Sequence, residues 1–393
     1  MTPAARVQAA IELLDSIIAA AREGGAAADT LIGAYFKQRR YAGSKDRRAV
    51  RELVYRAIRR AGERPASGRA AMLGLALEEP ELLAMFDGGP HAPGPVGDEE
   101  EAAAESVVPE WLSSRFDPVV DADEWPALLE RAPLDLRVNR LKGGREDAVP
   151  CFPEGVATPL SPLGLRLPEG TRVEESGAWA QGLVEVQDEG SQLLSLACGA
   201  AAGMTVVDLC AGAGGKTLAL AAEMGNSGRL IACDTDRGRL SRMRPRLERA
   251  GVTIAEPRLL DPGREREALA DLAGTAGLVL VDAPCSGTGT WRRNPETRWR
   301  LTPERLAALV RLQAYLFDLA AELVRPGGSL VYAVCSLLAE EGRDQAAAFS
   351  SRSAMVPEPL PMAAGRPAGT GRILSPAQDG TDGFFVARWK APC

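Results

Sequence analysis

Two cysteines that each end an apolar stretch are the first candidates for chemistry in this sequence. Cys285 ends the segment LVLVDAPC, and Cys335 ends the segment SLVYAVC. Both segments are rich in β-branched and aliphatic residues, a composition typical of buried strands. A single strand cysteine is more often a small buried hydrophobe than a reactive thiol. A second strand-end cysteine favours a reactive pair of thiols, because the carboxyl ends of neighbouring parallel strands meet at one edge of a sheet and would bring the two side chains together.

The addition of a thiolate to an electron-poor ring is a reaction that would suit one set of residues at this edge: Cys285, Cys335, Asp282 and Lys216. A thiolate that adds at carbon 6 of cytosine breaks the aromaticity, so that carbon 5 can attack a sulfonium methyl group. The thiol needs activation by positive charge or a helix N-terminus. Asp282 could hold the exocyclic amine and ring nitrogen 3, and Lys216 could support the thiolate or the base. Such a base must be unpaired or swung out of its stack. Spacing alone does not say which thiol attacks.

The segment DLCAGAGGKT, residues 208–217, predicts a strand that enters a glycine-rich turn and then a helix. Such a turn lets the backbone approach a ligand closely. A phosphate-binding Walker loop would need glycine at the position of Cys210, so that interpretation fails. Asp234 ends the next strand, 22 positions after Gly212, and could bind a ribose diol. NAD, S-adenosyl-L-methionine and a turn without any ligand stay open on this motif alone.

The segment DAPCSGTGTWRRNPETRW, residues 282–299, combines a strand end with arginines and tryptophans. Guanidinium groups suit phosphates, and aromatic or guanidinium planes can stack on unpaired bases. The alternative is a solvated helix start with no binding role. We predict RNA contacts from Trp291, Arg292, Arg293, Arg298 and Arg300.

The scarcity of histidine and the spacing of the cysteines exclude other chemistries. His91, the one histidine, lies in the Gly/Pro-rich stretch GGPHAPGPVG, so mechanisms with a histidine base are excluded. The seven cysteines form no C-x-x-C pair. We therefore expect neither a disulfide framework nor a metal site.

The elements that must position these residues fall into four predicted regions. Residues 1–87 predict a helical RNA-binding domain, since Val7, Ile11, Leu14 and Ile18 form one apolar helical face. Residues 88–106 are an acidic Gly/Pro linker, and residues 107–182 a small α+β RNA-binding module. From residue 183 to 393, apolar strands alternate with amphipathic helices, which predicts a doubly wound, mostly parallel α/β sheet.

The charge is distributed unevenly along the chain. The net charge of −7 hides a local charge of +7 over residues 1–70 and of −14 over residues 78–130. A basic N-terminal domain is compatible with RNA as partner, because phosphate attraction acts locally. No apolar run is long enough for a membrane span, and the N-terminus lacks the pattern of a secretory signal. We expect a cytoplasmic monomer.

The motifs together resemble the RsmB/Sun and Nop2/NSUN family of RNA 5-methylcytosine methyltransferases. DLCAGAGGKT, ACDTDRGRL, DAPCSGTGTWRRNPETRW and VYAVCSLLAEE are similar to its signatures in order. The resemblance implies a seven-stranded Rossmann-like methyltransferase sheet after an all-α NusB-like domain and a small α+β module. It implies S-adenosyl-L-methionine as cofactor and small-subunit ribosomal RNA as substrate.

The resemblance also implies residue roles. Cys335 would be the nucleophile, and Cys285 would assist release of the methylated RNA. The residues implied for the cofactor site are Cys210, Ala211, Gly212, Ala213, Gly214, Gly215, Lys216, Asp234, Arg239, Asp261 and Asp282.

Two positions depart from the family pattern, and three alternatives remain. Val334 stands where the family usually has threonine, and the turn reads AGAGG where a proline is common, so we expect a more flexible turn. The alternatives are a transfer RNA cytosine-5 methyltransferase, a ribosome-assembly RNA-binding protein without turnover, and a DNA cytosine methyltransferase.

Overall fold

The computed structural model describes residues 1–393 and divides into two compact units. The helical unit comprises Met1–Phe116, Asp121–Glu130 and Thr290–Pro303. The sheet unit comprises Asp117–Val120, Arg131–Gly289 and Glu304–Cys393. The chain therefore leaves the sheet unit after Gly289 and returns to it at Glu304.

The helical unit is built from six α-helices and short 3-10 segments. The helices are α1 (Pro3–Glu23), α2 (Ala28–Gln38), α3 (Ser44–Arg60), α4 (Gly68–Ala76), α5 (Pro80–Leu83) and α6 (Glu110–Ser113). The predicted apolar face of α1 is buried, with Val7, Ile11, Leu14 and Ile18 in the core of the unit. This face packs against α3 and α4, and such packing of an apolar face supplies most of the stability of a helix in a protein.

The predicted linker and α+β module have other boundaries in the structure. Residues 88–106 pack within the helical unit, where the Ala103 amide donates to the carbonyl of Ala70 and the Ser106 amide to that of Arg60. Residues 107–116 and 121–130 belong to the helical unit. Residues 117–120 and 131–182 belong to the sheet unit. Two backbone hydrogen bonds thus connect the segment predicted as a linker to α4 and to α3.

The sheet unit contains a small antiparallel sheet of four strands. These are β1 (Leu134–Val138), β2 (Val156–Ala157), β3 (Gly164–Leu167) and β4 (Val184–Val186), in the order β2-β3-β1-β4. Helices α7 (Arg145–Ala148) and α8 (Gly177–Ala180) lie in the same stretch of chain. Leu136, Val138, Leu165 and Val184 form its core.

A sheet of nine strands forms the rest of the sheet unit. Its strands are β5 (Thr205–Asp208), β6 (Arg229–Asp234), β7 (Ala255–Leu259), β8 (Ala276–Asp282), β9 (Val324–Val334), β10 (Val356–Glu358), β11 (Arg366–Ala368), β12 (Gly371–Leu374) and β13 (Phe384–Lys390). The order is β11-β12-β13-β9-β8-β5-β6-β7, and β10 pairs with β13. The helices are α9 (Glu189–Ala197), α10 (Gly215–Glu223), α11 (Arg237–Ala250), α12 (Glu265–Ala268), α13 (Pro303–Leu323), α14 (Arg343–Arg352) and α15 (Pro376–Asp379).

The expected α/β sheet is present, but it has nine strands where seven were predicted. Strands β5 to β9 pair in parallel, and β10 to β13 pair antiparallel. The two additional strands, β10 and β11, have three residues each. Segments this short carry no recognisable alternation of apolar and polar residues.

Three further features concern the chain as a whole. No helix combines the length and the apolar composition that crossing a membrane requires. No group of three or more His, Cys, Asp or Glu side chains is arranged to hold a metal ion. All seven cysteines are free thiols.

Candidate active site

The two strand-end cysteines meet at one edge of the nine-stranded sheet. β8 and β9 pair in parallel, with Asp282 opposite Ala333, so that both chains leave the sheet side by side. The Sγ atoms of Cys285 and Cys335 lie 3.3 Å apart, and both residues are half-buried. The amide of Gly289 donates to the carbonyl of Cys335 at 3.1 Å, which ties the two loops together. The site therefore contains a pair of thiols in direct contact.

Lys216 and Asp282 form an ion pair beside the thiols. Lys216 Nζ lies 2.6 Å from Asp282 Oδ2. Burial alone would lower the pKa of Lys216, but the charge of Asp282 and the hydrogen bond to it outweigh burial, and the pKa lies above its ordinary value. An ionised Cys335 acts in the same direction on Lys216. The ammonium group is thus placed to stabilise a thiolate at Cys335.

The two thiols differ in their surroundings. The hydrogen bond with Cys335, burial, and the charges of Cys335 and Glu341 hold the pKa of the Cys285 thiol well above its ordinary range. In this contact either sulfur can be the donor, so a protonated thiol at Cys285 can donate a hydrogen bond to a thiolate at Cys335.

Glu341 is a site residue that the sequence reasoning did not single out. Its carboxylate is fully buried (0% exposed) and accepts hydrogen bonds from the Ser286 amide at 2.9 Å, the Ser336 hydroxyl at 2.6 Å and the Gln313 side chain at 2.9 Å. The Ser286 hydroxyl also donates to it. Ser286 and Ser336 each directly follow one of the two cysteines, so one buried carboxylate fixes both loops. No sequence pattern marks such a contact, because its donors come from three separate segments.

The glycine-rich turn lies between β5 and α10, as predicted. Gly212 and Gly214 have φ values of 58° and 87°, in the left-handed region that favours glycine. A Cβ atom at Gly214 would approach Met243 Cγ to 2.7 Å, whereas one at Gly212 or Gly215 would meet nothing within 4 Å. The turn therefore packs against α11 on one side and leaves open space on the other, where a ligand can approach its backbone.

Asp234 lies at the end of β6 with its carboxylate held by the backbone. Its oxygens accept from the Gly212 amide at 2.8 Å and from the Asp236 amide at 2.7 Å. A carboxylate has about four acceptor positions, so capacity remains for a ribose diol. The residues present thus fit an adenosyl group, with a carboxylate and an open glycine turn on neighbouring strand ends.

The remaining predicted cofactor residues vary in exposure. Cys210, Ala213 and Lys216 are half-buried in or beside the turn, and Ala211 is buried. Arg239 is exposed and lies 3.7 Å from Asp236. Asp261 is exposed, two residues after the end of β7. Their roles toward a cofactor stay predictions.

Asp208 is a second residue whose environment the sequence did not reveal. It ends β5, is fully buried, and accepts a hydrogen bond from the Thr217 hydroxyl at 2.7 Å. Its other oxygen has no hydrogen-bond partner. Burial raises the pKa of Asp208 to about 7, although the Thr217 hydrogen bond opposes the shift.

The predicted RNA contacts of Trp291, Arg292 and Arg298 are corrected by the structure. All three side chains are buried, at 0%, 5% and 1% exposure. The Arg298 guanidinium donates to the carbonyls of Ile58 and Arg59, in the last turn of α3, and to that of Val107. It therefore satisfies helix-end carbonyls of the helical unit. A basic run in the sequence does not reveal this, because only the fold decides which arginines are buried.

The other two residues of this set are less deeply buried. Arg293 and Arg300 are half-buried, and Arg300 donates to the carbonyls of Gly25 and Ala26. RNA binding by Arg293 and Arg300 stays a prediction.

Fold and site define the class of the protein. The order of the parallel strands, the glycine turn after β5 and the acidic end of β6 define a doubly wound α/β fold of the Rossmann type. Two solved structures agree with it: PH0851, with a TM-score of 0.77 and 24% identity over 99% of both chains, and a methyltransferase homologue from Pyrococcus horikoshii. The second has a TM-score of 0.60 and 27% identity, and covers 68% of this chain and 89% of that one.

Residues 197–390 match the family described as 16S rRNA methyltransferase RsmB/F. Ribosomal RNA small subunit methyltransferase B of Klebsiella pneumoniae is 35% identical over 290 residues, which is 71% of this chain and 65% of that relative. The chain thus spans slightly less than two thirds of the relative. Residues 197–390 are thus similar to the methyltransferase domain of the RsmB/F family. This similarity supports S-adenosyl-L-methionine over NAD as the cofactor of the glycine turn.

Proposed function

We propose that this protein transfers a methyl group from S-adenosyl-L-methionine to carbon 5 of a cytosine in RNA, through a covalent cysteine–cytosine adduct. The observation that carries the proposal is the pair of thiols at 3.3 Å beside the Lys216–Asp282 ion pair. A single nucleophile would need only one thiol. Two in contact suit a reaction in which a carbon–sulfur bond must be both formed and broken.

Cys335 is the proposed nucleophile. The Lys216 ammonium is placed to stabilise a thiolate there, and the Cys285 thiol, 3.3 Å away, can donate a hydrogen bond to it. The Cys335 thiolate adds to carbon 6 of the cytosine, and the electron pair of the 5,6 double bond is displaced toward carbon 5 and the ring. This addition is the step that makes carbon 5 nucleophilic.

Asp282 and Cys285 are proposed to act before and after methyl transfer. Asp282 would accept hydrogen bonds from the exocyclic amine and from ring nitrogen 3 of the target base in its protonated form, which stabilises the adduct. After methylation, water takes up the carbon 5 proton, the electron pair of that carbon–hydrogen bond re-forms the 5,6 double bond, and Cys335 departs from carbon 6 as a thiolate. The Cys285 thiol, 3.3 Å away, can donate a hydrogen bond to the departing thiolate and so favour release.

The cofactor is proposed to bind across the glycine turn, with its ribose at Asp234. When bound, it supplies an electrophilic methyl group on a positively charged sulfur. The open face at Gly212 and Gly215 gives the space, and the backbone hydrogen bonds to Asp234 fix the carboxylate that would receive the ribose hydroxyls. The tight contact of Gly214 with Met243 keeps the turn against α11.

Ribosomal RNA of the small subunit is the proposed substrate. The support is the family description and the name of the Klebsiella relative. The local charge of +7 over residues 1–70 is consistent with a polyanionic partner.

The proposal is tested by incubating the purified protein with methyl-labelled S-adenosyl-L-methionine and small-subunit ribosomal RNA. We expect label in 5-methylcytosine after digestion to nucleosides, and none with Cys335→Ala. Transfer RNA serves as the competing substrate. Label in a different nucleoside, or undiminished labelling by Cys335→Ala, would refute the proposed chemistry.

A further inference from the structure

An arginine of α11 contacts the glycine-rich turn from outside the motif. Arg246 Nη1 donates to the carbonyl of Ala213 at 2.7 Å, and Arg246 Nη2 donates to Glu185 Oε2 at 3.0 Å. One guanidinium thus links the turn to β4 of the small sheet. No motif identified in the sequence contains Arg246 or Glu185 as a site residue.

Glu185 is a rigid anchor for this arginine. Its side chain is 2% exposed and lies opposite Arg137 on the neighbouring strand β1. It also accepts from Arg249, whose guanidinium stacks on the Trp179 ring at 3.6 Å. A buried carboxylate with two cationic partners cannot leave them without a large desolvation cost, so Arg246 is held in one geometry.

A second polar contact reaches the turn from the small sheet. Arg137 Nε donates to Gln187 Oε1 at 2.6 Å, and Gln187 Nε2 lies 3.5 Å from the carbonyl of Gly215. Arg246 thus contacts the carbonyl of Ala213 and Gln187 that of Gly215, the two residues that flank Gly214 in the sequence. The small sheet therefore supports the turn through two of its carbonyls, whereas a Cβ atom at Gly212 or Gly215 would meet nothing within 4 Å.

The turn has a composition that requires external support. Gly212, Gly214 and Gly215 each have large conformational freedom in the unfolded chain, and no proline stiffens the segment. We propose that Arg246, anchored by Glu185, is a positioning residue that holds the carbonyl of Ala213 and thereby keeps residues 212–216 in the conformation that binds the cofactor. This inference rests on the proposed function for the identity of the ligand.

The first measurement is the affinity for S-adenosyl-L-methionine by calorimetry, for the wild type, Arg246→Ala and Arg246→Lys. Arg246→Ala should weaken binding about tenfold, the loss expected for one charge-assisted hydrogen bond. The KM for the cofactor should rise by a similar factor while kcat changes little. Arg246→Lys keeps a cation beside Glu185 but cannot reach both partners, so it should also weaken binding.

The matched control is Arg244→Ala, an exposed arginine on the same helix. It should leave the affinity unchanged. Ala213→Pro supplies the rescue, because the Ala213 amide makes no backbone hydrogen bond and a proline there restricts the turn by covalent means. In the Arg246→Ala background, Ala213→Pro should recover most of the lost affinity.

Hydrogen exchange separates this inference from the proposed function. In the protein without cofactor, amides of residues 211–216 should exchange faster in Arg246→Ala than in the wild type. Equal exchange, or equal cofactor affinity of Arg246→Ala and wild type, overturns the positioning role. A wild type that binds no S-adenosyl-L-methionine defeats the proposed function instead, and the exchange comparison still decides whether Arg246 orders the turn.

Discussion

Replacement of Glu341 should test whether this carboxylate holds the two loops that carry the thiols, because the replacement removes no group that is proposed to react. The carboxylate receives donors from Ser286, Ser336 and Gln313 in an environment without solvent. In Glu341→Ala, the two hydroxyls can turn toward each other, since their oxygens lie 3.1 Å apart. The Ser286 amide loses its acceptor, and the Gln313 side chain keeps only the carbonyl of Pro284.

The magnitude follows from the number of donors left without an acceptor. Each unpaired buried donor costs about 1–3 kcal/mol, and the missing side chain leaves a cavity besides. We expect Glu341→Ala to lower the local free energy of unfolding by roughly 3–5 kcal/mol. In Glu341→Gln, the amide oxygen replaces one carboxylate oxygen and the hydroxyls can accept from the amide nitrogen, so the loss should be about 1 kcal/mol or less.

The assay is hydrogen exchange followed on peptides that contain β8 and β9, combined with methyl transfer on small-subunit ribosomal RNA. Glu340→Ala is the matched control, because it removes the neighbouring carboxylate at a half-buried position. Activity should fall strongly in Glu341→Ala and be largely kept in Glu341→Gln. A Glu341→Ala protein with wild-type exchange at both strands would refute the role of this carboxylate.

Three further outcomes follow from the site and the fold. Cys285→Ala should accumulate a protein–RNA adduct that survives denaturing electrophoresis, and an adduct from Cys335→Ala instead would reverse the roles of the thiols. Burial raises the pKa of Asp208 in the folded protein to about 7, above its value in the unfolded chain. The free energy of unfolding is therefore higher at low pH and falls as the pH rises through about 7. Asp208→Asn should therefore reduce the fall in unfolding free energy between about pH 5 and pH 8 by roughly 2 kcal/mol, and an unchanged profile in urea titrations would contradict this. Arg298→Ala should destabilise α3 by about 2–4 kcal/mol in hydrogen exchange, because helix-end carbonyls lose their donor; wild-type exchange in α3 would exclude the structural role.

Much of the site could be predicted because strand ends are visible in a sequence. Parallel strands read as short apolar runs, and their carboxyl ends lie at one edge, so Asp282, Cys285 and Cys335 could be grouped from the sequence alone. The same reasoning placed Lys216 and Asp234 at that edge. Local patterns sufficed there, since each residue lies within a few positions of the strand end that positions it.

The remainder depended on contacts between distant segments. Glu341 and Arg246 act through hydrogen bonds to residues at least five and as many as 61 positions away, and no periodicity encodes those contacts. Trp291 and Arg298 are predicted from the sequence to contact RNA, yet residues 290–303 fold with the helical unit and both side chains are buried. Burial of an arginine depends on carbonyls that other segments leave unpaired, which composition does not reveal.

Identification of the residue that bonds covalently to the RNA tests the proposed chemistry most directly. RNA containing 5-fluorocytosine traps the adduct after methyl transfer, because the fluorine on carbon 5 cannot leave as a proton does. After incubation with S-adenosyl-L-methionine and nuclease and protease digestion, mass spectrometry should find the modified nucleotide on the peptide that contains Cys335. A nucleotide on Cys285, or no protein–RNA bond while methylation of ordinary RNA proceeds, would contradict a mechanism with Cys335 as the nucleophile.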